Sequence, residues 1–321
     1  MIVKMNIQSI IRPLRILKPV VPLVITYFIG RTIYENWQHV RDATWGLEWT
    51  YLLLSFFAMA GLYILRPLVW RLILRHFGHD VSAVVAYRIV RQAELSRYVP
   101  GAIWQYVSRV DLANRWGVSP SATMAAALVE TVILILSAVI PALLNFDEVL
   151  PNLARFQIVL LVLFPMGAVA VLQPRLLNIW VGFFSKKLNQ PYSKLKIKWS
   201  TIAAIWLTYV VMWSLGCLGV GFFVRGLIGI SAAQIFVTGS FFATAWIVAI
   251  ISIVSPAGVG IRDGIFGLLL GQILPLGAAL TIAIGTRMWM TLLELFWTAL
   301  GVWFVDLPQH LATDKDTGRL Q

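Results

Sequence analysis

The sequence predicts an all-α polytopic membrane protein, and two observations support this fold class. First, 59% of the residues are hydrophobic, only 12% are charged, and the mean hydropathy is +0.81, values outside the range of soluble domains. Second, several stretches lack any ionisable side chain and are long enough to cross a bilayer as helices, which takes about 20 residues; among them are 199–224 and 227–261. Barrel strands would alternate apolar and polar residues, and these stretches do not.

The chain begins with four basic residues, Lys4, Arg12, Arg15 and Lys18, followed by the apolar stretch 20–30. A signal peptide has a similar pattern, but no small-x-small cleavage site follows here. We therefore expect a first membrane helix. Further apolar stretches at 49–65, 119–145, 156–173 and 264–286 predict later helices, although 119–145 contains Glu130.

Basic residues are unevenly distributed among the connecting segments, and this predicts the orientation. Segments 1–18, 66–118, 174–198 and 305–321 hold four, eight, six and two Lys or Arg, whereas 31–48, 142–155 and 225–230 hold two, one and one. The positive-inside rule makes the first group cytoplasmic and leaves both termini inside. We expect a multi-pass protein of the cell inner membrane, whose net charge of +12 attracts anionic lipid and not nucleic acid.

Two units of similar order lie within a single membrane domain, 1–321. "RYVPGAIWQ", 97–105, precedes Pro120 and an alanine-rich helix, and "SPAGVGIRDG", 255–264, precedes Pro275 and a second such helix. The units, 49–145 and 201–304, each have a helix, a breaker loop, a short segment, a second breaker and a long helix.

The charge pattern makes the first unit enter the membrane from outside and the second from inside. If each breaker loop is the tip of a re-entrant hairpin, the units form an inverted repeat with six full spans and two hairpins. A competing count treats 231–254 as a full crossing and splits 265–304 in two, which gives eight spans.

The second breaker loop is a candidate anion site. Gly258 and Gly260 allow close backbone approach, and Pro256 ends the preceding helix. The exposed N–H groups near the next helix N-terminus would bind an anion that Arg262, beside Asp263, reinforces. Alternatively, the glycines at 260, 264, 267 and 271 serve only helix packing.

The first loop is preceded by charges at intervals of three residues: Arg88, Arg91, Glu94 and Arg97. Glu94 can pair with Arg91 or Arg97, which leaves net positive charge for a phosphate. The alternative is an amphipathic helix at the membrane interface. Arg109 follows Trp104 and Gln105, so the other limb of the hairpin also carries a cation.

Three charged residues stand alone in the long apolar helices: Glu130, Arg287 and Glu294. A charge at that depth costs about 3 kcal/mol or more unless it is paired or hydrated. Arg287 and Glu294 are seven residues apart and share a helix face. We expect Glu130, at the matching place in the other unit, to pair with Arg287, either in a polar cavity or as a static structural pair.

No cofactor is expected. The four histidines and the single cysteine, Cys217, have no metal-ligand spacing, and neither a dinucleotide fingerprint nor a Walker sequence occurs.

At these two loops the chain resembles the flippase-like membrane domain of the lysylphosphatidylglycerol synthase family. The resemblance rests on "RYVPGAIWQ" with Arg109, and on "SPAGVGIRDG" with "GTRMW" around Arg287; Asp263 stands where family members often have Glu. It implies translocation of an anionic or phosphate-bearing envelope lipid between leaflets, such as an aminoacyl-phospholipid or a polyprenyl-phosphate-linked glycan. The candidate substrate-binding residues are Arg88, Arg91, Arg97, Pro100, Gly101, Gln105, Arg109, Glu130, Pro256, Gly258, Gly260, Arg262, Asp263, Arg287 and Glu294.

Only 17 residues follow Phe304, so we expect no synthase domain and no enzyme activity. A separate lipid-synthesising enzyme and a second copy of the chain are the expected partners. Two other functions stay open: an ion-coupled transporter of a small solute, and a membrane-embedded lipid-modifying transferase. A cavity that opens laterally to the bilayer would favour lipid.

Overall fold

The computed structural model describes residues 46–98, 103–149, 156–187, 194–252 and 261–303, together with Arg31 and Tyr34. Within these ranges the regular structure is helical, with no strand, which confirms the all-α fold class. The first predicted helix, 20–30, lies outside the described residues, as do the tips of both breaker loops.

The helices, in chain order, are α1 (Trp49–Arg75), α2 (Ala83–Leu95), α3 (Trp104–Asn114), α4 (Pro120–Leu144), α5 (Phe146–Val149), α6 (Gln157–Val171), α7 (Pro174–Lys187), α8 (Trp199–Ile228), α9 (Ala232–Ser252), α10 (Ile261–Leu270) and α11 (Leu276–Trp303). A short 3₁₀ turn, Ser96–Tyr98, follows α2.

Local sequence signals set several helix ends. The Ser82 hydroxyl accepts a hydrogen bond from Val85 N at 3.2 Å and caps α2. Ser119 accepts from Ala122 N at 3.3 Å and caps α4, whose first residue is Pro120. Gly229 ends α8 with a φ of 67°, in the left-handed region that favours glycine.

Five described helices are long and apolar enough to cross a membrane: α1, α4, α8, α9 and α11. The pair α6 and α7, bent by 62°, would make a sixth span if it crosses as one unit. The six-span count treats α9 as a hairpin limb, although its length alone would permit a crossing. The eight-span count splits 265–304 into two crossings, whereas the structure has a 10-residue α10 followed by a single 28-residue α11.

The helix contacts between the two units correspond to each other when one unit is exchanged for the other. The leading helices α1 and α8 pack together, α2 packs on α11, and α4 packs on α9. Exchange of the units turns the α2–α11 contact into the α9–α4 contact. This is the pattern of a two-fold arrangement, while inversion across the membrane stays a prediction because no membrane is present.

Candidate functional site

Glu130 lies near the middle of α4 and is 1% exposed, with donors from three other helices around it. Arg66 Nε of α1 donates to its carboxylate at 2.7 Å, and the Tyr209 hydroxyl of α8 donates at 3.0 Å. Arg109 of α3 forms a second ion pair with it. We call Arg66, Arg109, Glu130 and Tyr209, together with Arg91 and Glu94, the Glu130 cluster.

Glu94 joins this cluster from α2, outside the long apolar helices. It pairs with Arg91, one turn earlier, and with Arg66, which therefore bridges two carboxylates. Burial by itself would raise the pKa of Glu94, but the positive charges of Arg66 and Arg91 outweigh it, and the pKa falls to about 2. The carboxylate is therefore ionised at neutral pH.

Glu294 of α11 receives its partners from the other unit. Arg97, in the 3₁₀ turn after α2, pairs with it, and the Tyr98 hydroxyl donates to the same oxygen at 2.8 Å. Its second oxygen is buried and has no hydrogen-bond partner among the described residues. The residues at the first breaker loop are thus attached to the last helix of the second unit.

Asp263 lies in the first turn of α10, directly after the second breaker loop. Arg262 donates to one of its oxygens from Nε at 3.2 Å and from Nη2 at 3.1 Å, and Arg287 of α11 pairs with the other. We call these three residues the Asp263 cluster.

The expected pair between Glu130 and Arg287 is wrong. Each of these charges has an ion-pair partner on the short helix of its own unit, because α3 packs against α4 and α10 packs against α11. Glu130 has further partners on α1 and α8. The two ion pairs have opposite polarity. In the first unit the short helix supplies the cation, Arg109, and in the second unit it supplies the anion, Asp263.

The charged side chains differ in exposure. Those of Arg91, Arg109 and Glu130 are 1–3% exposed, although Arg66 of the same cluster is 19% exposed. Arg97 is 34% exposed, Arg262 13% and Arg287 15%, so these three side chains, which we call the accessible arginines, are partly exposed. Arg97 also lies within electrostatic range of Arg262, although the two belong to different units. In the described part of the chain, the three accessible arginines pair with two carboxylates, which leaves one excess positive charge.

Other predicted site residues fall in several places. Arg88 is 8% exposed, and its Nη1 has no hydrogen-bond partner among the described residues. Gln105 lies half-buried in the first turn of α3. Pro100, Gly101, Pro256, Gly258 and Gly260 lie outside the described residues, so the backbone anion site stays a prediction.

The two alternatives to a binding role, an interfacial helix and glycines that serve only packing, have different outcomes. Helix α2 buries both apolar and charged residues between α1, α3 and α11, so it is not a helix that merely lies at the interface. A Cβ at Gly267 would lie 2.8 Å from Leu280, so helix packing explains this glycine. A Cβ at Gly264 would meet nothing within 4 Å, so packing does not explain that one.

Three contributors to the site were missed by sequence reasoning: Arg66, Tyr98 and Tyr209. Arg66 follows an uncharged stretch directly and precedes Pro67, so it was counted with the cytoplasmic loop. Helix α1 nevertheless continues through Pro67 to Arg75. The available signal that the helix continues is that apolar residues lie on both sides of Arg66, with the three residues 68–70 following Pro67.

Among the described residues no group of three or more His, Cys, Asp and Glu side chains could hold a metal ion. The donors at the accessible positions are guanidinium groups, which bind carboxylates and phosphates and do not ligate cations.

Comparison with known proteins agrees with this geometry. The family described as the lysylphosphatidylglycerol synthase TM region matches residues 15–297, which contain the first unit, the second unit as far as residue 297, and every charged cluster above. The chain belongs to this family. No curated protein and no solved structure matched it. The lysylphosphatidylglycerol synthase TM region is a membrane part of a lipid-related protein family, so the chain is a multi-pass membrane protein with a membrane-lipid-related role.

Proposed function

We propose that the chain is a lipid translocase, which moves an anionic or phosphate-bearing envelope lipid between the two leaflets. The observation that carries the proposal is the set of accessible arginines beside the two breaker loops. Among the described residues, Arg97, Arg262 and Arg287 have only Glu294 and Asp263 as carboxylate ion-pair partners, so the set has capacity for a further anion.

A phosphate diester suits this set because a guanidinium group offers several N–H donors and can contact a carboxylate and a phosphate together. Arg97 comes from the first unit and Arg262 from the second, so one headgroup would contact both units. That placement fits a transporter whose substrate lies between two repeats. Aminoacyl-phospholipids and polyprenyl-phosphate-linked glycans both carry the required phosphate.

Helix α11 supports the same proposal through its two faces. Arg287 and Glu294 point to partners inside the protein, whereas Leu292 and Phe296 are 56% and 46% exposed. A lipid could therefore keep its acyl chains along the apolar face while its headgroup meets the arginines. In this proposal the chain transports lipid and has no synthetic activity, and a separate enzyme supplies the substrate.

The test is a translocation assay in proteoliposomes with fluorescent phosphatidylglycerol and phosphatidylcholine, in which dithionite bleaches the label that reaches the outer leaflet. We expect faster bleaching of phosphatidylglycerol than in protein-free vesicles, and little protein-dependent bleaching of phosphatidylcholine. Arg262→Gln should slow this movement about tenfold or more, as expected for the loss of a charged hydrogen bond. Asp263 keeps Arg287 in this variant, so no buried carboxylate is stranded.

The control is Asp111→Asn with Arg115→Gln. This double variant removes an i,i+4 ion pair at the end of α3, outside the accessible arginines, and leaves the net charge unchanged. It should translocate lipid at the wild-type rate. Wild-type transport by Arg262→Gln, or equal loss in the control, would contradict the proposed anion site. Uptake of a small solute without lipid movement would support the ion-coupled transporter instead.

A further inference from the structure

A basic cavity of about 600 Å³ lies apart from the two charged clusters, between the first turns of α7 and the segment that leads into α8. Its wall contains no residue of the Glu130 or Asp263 cluster. The lining residues are Pro174, Arg175, Asn178 and Ile179 of α7, and Lys194, Leu195, Lys196, Ile197 and Lys198.

The wall of this cavity is held in place by the side chain of Asn178. Its amide nitrogen donates to the carbonyl oxygens of Pro174 and Leu195 at 2.8 and 3.0 Å, and its oxygen accepts from Leu195 N at 2.8 Å. Lys196 N also donates to the His76 carbonyl oxygen at 3.2 Å. These contacts attach the 194–198 segment to two other parts of the protein, so the cavity is a built feature.

The exposure pattern along the segment orients its charges. Leu195 is 3% exposed and packs in the core, while Lys194, Lys196 and Lys198 are exposed. This alternation anchors the chain by Leu195 and leaves three exposed lysines in the segment that lines the cavity. Arg175 adds a fourth cation from α7. No described carboxylate forms an ion pair with any of the four, so the cavity has strong positive charge.

Helix α7 places an apolar surface beside these cations. Ile179, Trp180 and Phe183 are 65%, 51% and 57% exposed, whereas Leu177 and Val181 on the other face are 1% and 2% exposed. A helix with a buried face and a large exposed apolar face beside Lys and Arg is typical of a helix at the membrane interface. The charge distribution of the chain assigns this region to the cytoplasmic side.

We propose that this cavity is a docking site for the headgroup of an anionic phospholipid of the cytoplasmic leaflet. The phosphate meets Arg175 and the three lysines, and the acyl chains lie along the exposed apolar face of α7. Charge complementarity selects an anion, and the adjoining apolar face selects a lipid over a soluble anion. The site does not depend on the translocation proposal, because none of its residues contacts the accessible arginines.

The test places a photo-crosslinking amino acid at Ile179, which lines the cavity, in protein reconstituted in nanodiscs with equal amounts of phosphatidylglycerol and phosphatidylcholine. Lipid adducts on the α7 peptide are then counted by mass spectrometry. We expect phosphatidylglycerol adducts to exceed phosphatidylcholine adducts at least about fivefold, since each nearby Lys or Arg favours an anionic headgroup by about that factor. Lys194→Gln with Lys196→Gln should lower the ratio about fivefold or more, while Arg175 and Lys198 keep part of the preference.

The matched control is Arg31→Gln with Arg115→Gln, which removes the same charge from exposed positions outside the cavity wall and outside α7. It should keep the wild-type ratio. An adduct ratio close to one in the otherwise wild-type protein would overturn the proposal without reference to any lysine variant. It would also be overturned if the lysine variant kept the full preference, or if the control lost it equally. Since no transport is measured, these outcomes are separate from the fate of the translocation proposal.

Discussion

At the residue scale, Glu130 shows how one carboxylate can fix the contacts of several helices. Arg66, Arg109 and Tyr209 reach it from α1, α3 and α8, so the Glu130 cluster connects both units near the centre of the protein. Truncating this carboxylate leaves Arg109 without its ion-pair partner and leaves Arg66 with Glu94 alone. The loss is larger than the net contribution of the pair itself, because a buried charge without a partner is the expensive state.

The first prediction is that Glu130→Gln lowers the free energy of unfolding by about 3–5 kcal/mol, as expected for breaking a buried ion pair. Glu148→Gln, at an exposed position after α4, is the control and should change it by less than about 0.5 kcal/mol. The measurement is denaturant unfolding in mixed micelles, followed by tryptophan fluorescence. Equal stability of the two variants would show that Glu130 is hydrated and not held as the structure has it.

The second prediction uses the partners to separate the two charged clusters. Glu130 and Arg287 share no partner, so the losses from Glu130→Gln and Arg287→Gln should add within about 0.5 kcal/mol in the double variant. Asp263→Asn and Arg287→Gln contact each other, so their double variant should deviate from additivity by about 0.5–3 kcal/mol. A strong deviation for the first pair would instead support direct contact between Glu130 and Arg287.

The sequence predicted which residues carry the buried charge better than it predicted their partners. Glu94 was expected to pair at a spacing of three residues, and its contact with Arg91 confirms that local rule. The partner of Glu294, however, is 197 positions away along the chain, and such a contact depends on how α2 packs against α11. Helix periodicity gives a residue its face on one helix and contains no information about the opposing helix.

At the element scale, small residues determine how closely the helices of the second unit approach. A Cβ added at Gly221 of α8 would lie 2.3 Å from the Ile235 carbonyl oxygen, and one at Gly239 of α9 would lie 2.6 Å from Cys217 Cβ. Both obstacles include atoms that cannot rotate away. The contact between α8 and α9 therefore requires glycine at these two positions.

The third prediction follows from this contact. Gly221→Ala and Gly239→Ala should each lower stability by about 1–3 kcal/mol, the range for overpacking a filled interior. Gly167→Ala is the matched control, since a Cβ in that helix would meet nothing within 4 Å. Alanine is also the better helix former, so this variant should be neutral or more stable. Thermal unfolding in detergent measures all three, and a destabilised control with intact α8 and α9 variants would contradict the packing.

Element order was largely predictable, because proline, glycine and uncharged runs set it. The two short helices, α3 and α10, follow breaker loops as expected, and single long helices α4 and α11 follow the second breakers. The lengths of the helices that precede the two breaker loops were not predictable: α2 has 13 residues and α9 has 21. These two helices differ in how many charged residues they bury against neighbouring helices, and the sequence does not show that burial directly.

At the scale of the whole molecule, the α2–α11 contact and the α4–α9 contact correspond to each other when the units are exchanged, but they differ in polarity. The α2–α11 side is polar: Tyr87 donates to the Trp297 carbonyl oxygen at 2.7 Å, and Arg97 pairs with Glu294. The α4–α9 side includes a hydrogen bond from Asn145 to Ser240 at 2.7 Å, among largely apolar contacts. The charged contact between Arg97 and Glu294 therefore lies on the side where the first loop meets the second unit.

The last prediction concerns the orientation of the units in the membrane. Single cysteines at Lys196 and Ser231, both exposed positions, should react with a membrane-impermeant maleimide from the cytoplasmic and the external side respectively. The native Cys217 is buried and should contribute little background. In an inverted repeat, a cysteine at Ala257 in the second breaker loop should react from outside, and more slowly than Ser231→Cys, because a hairpin tip near the midplane is reached through a narrow path. Right-side-out and inside-out vesicles measure both rates. Rapid labelling of Ala257→Cys from the cytoplasm alone would make α9 a full crossing, as in the eight-span count. The second breaker loop would then not be the tip of a re-entrant hairpin.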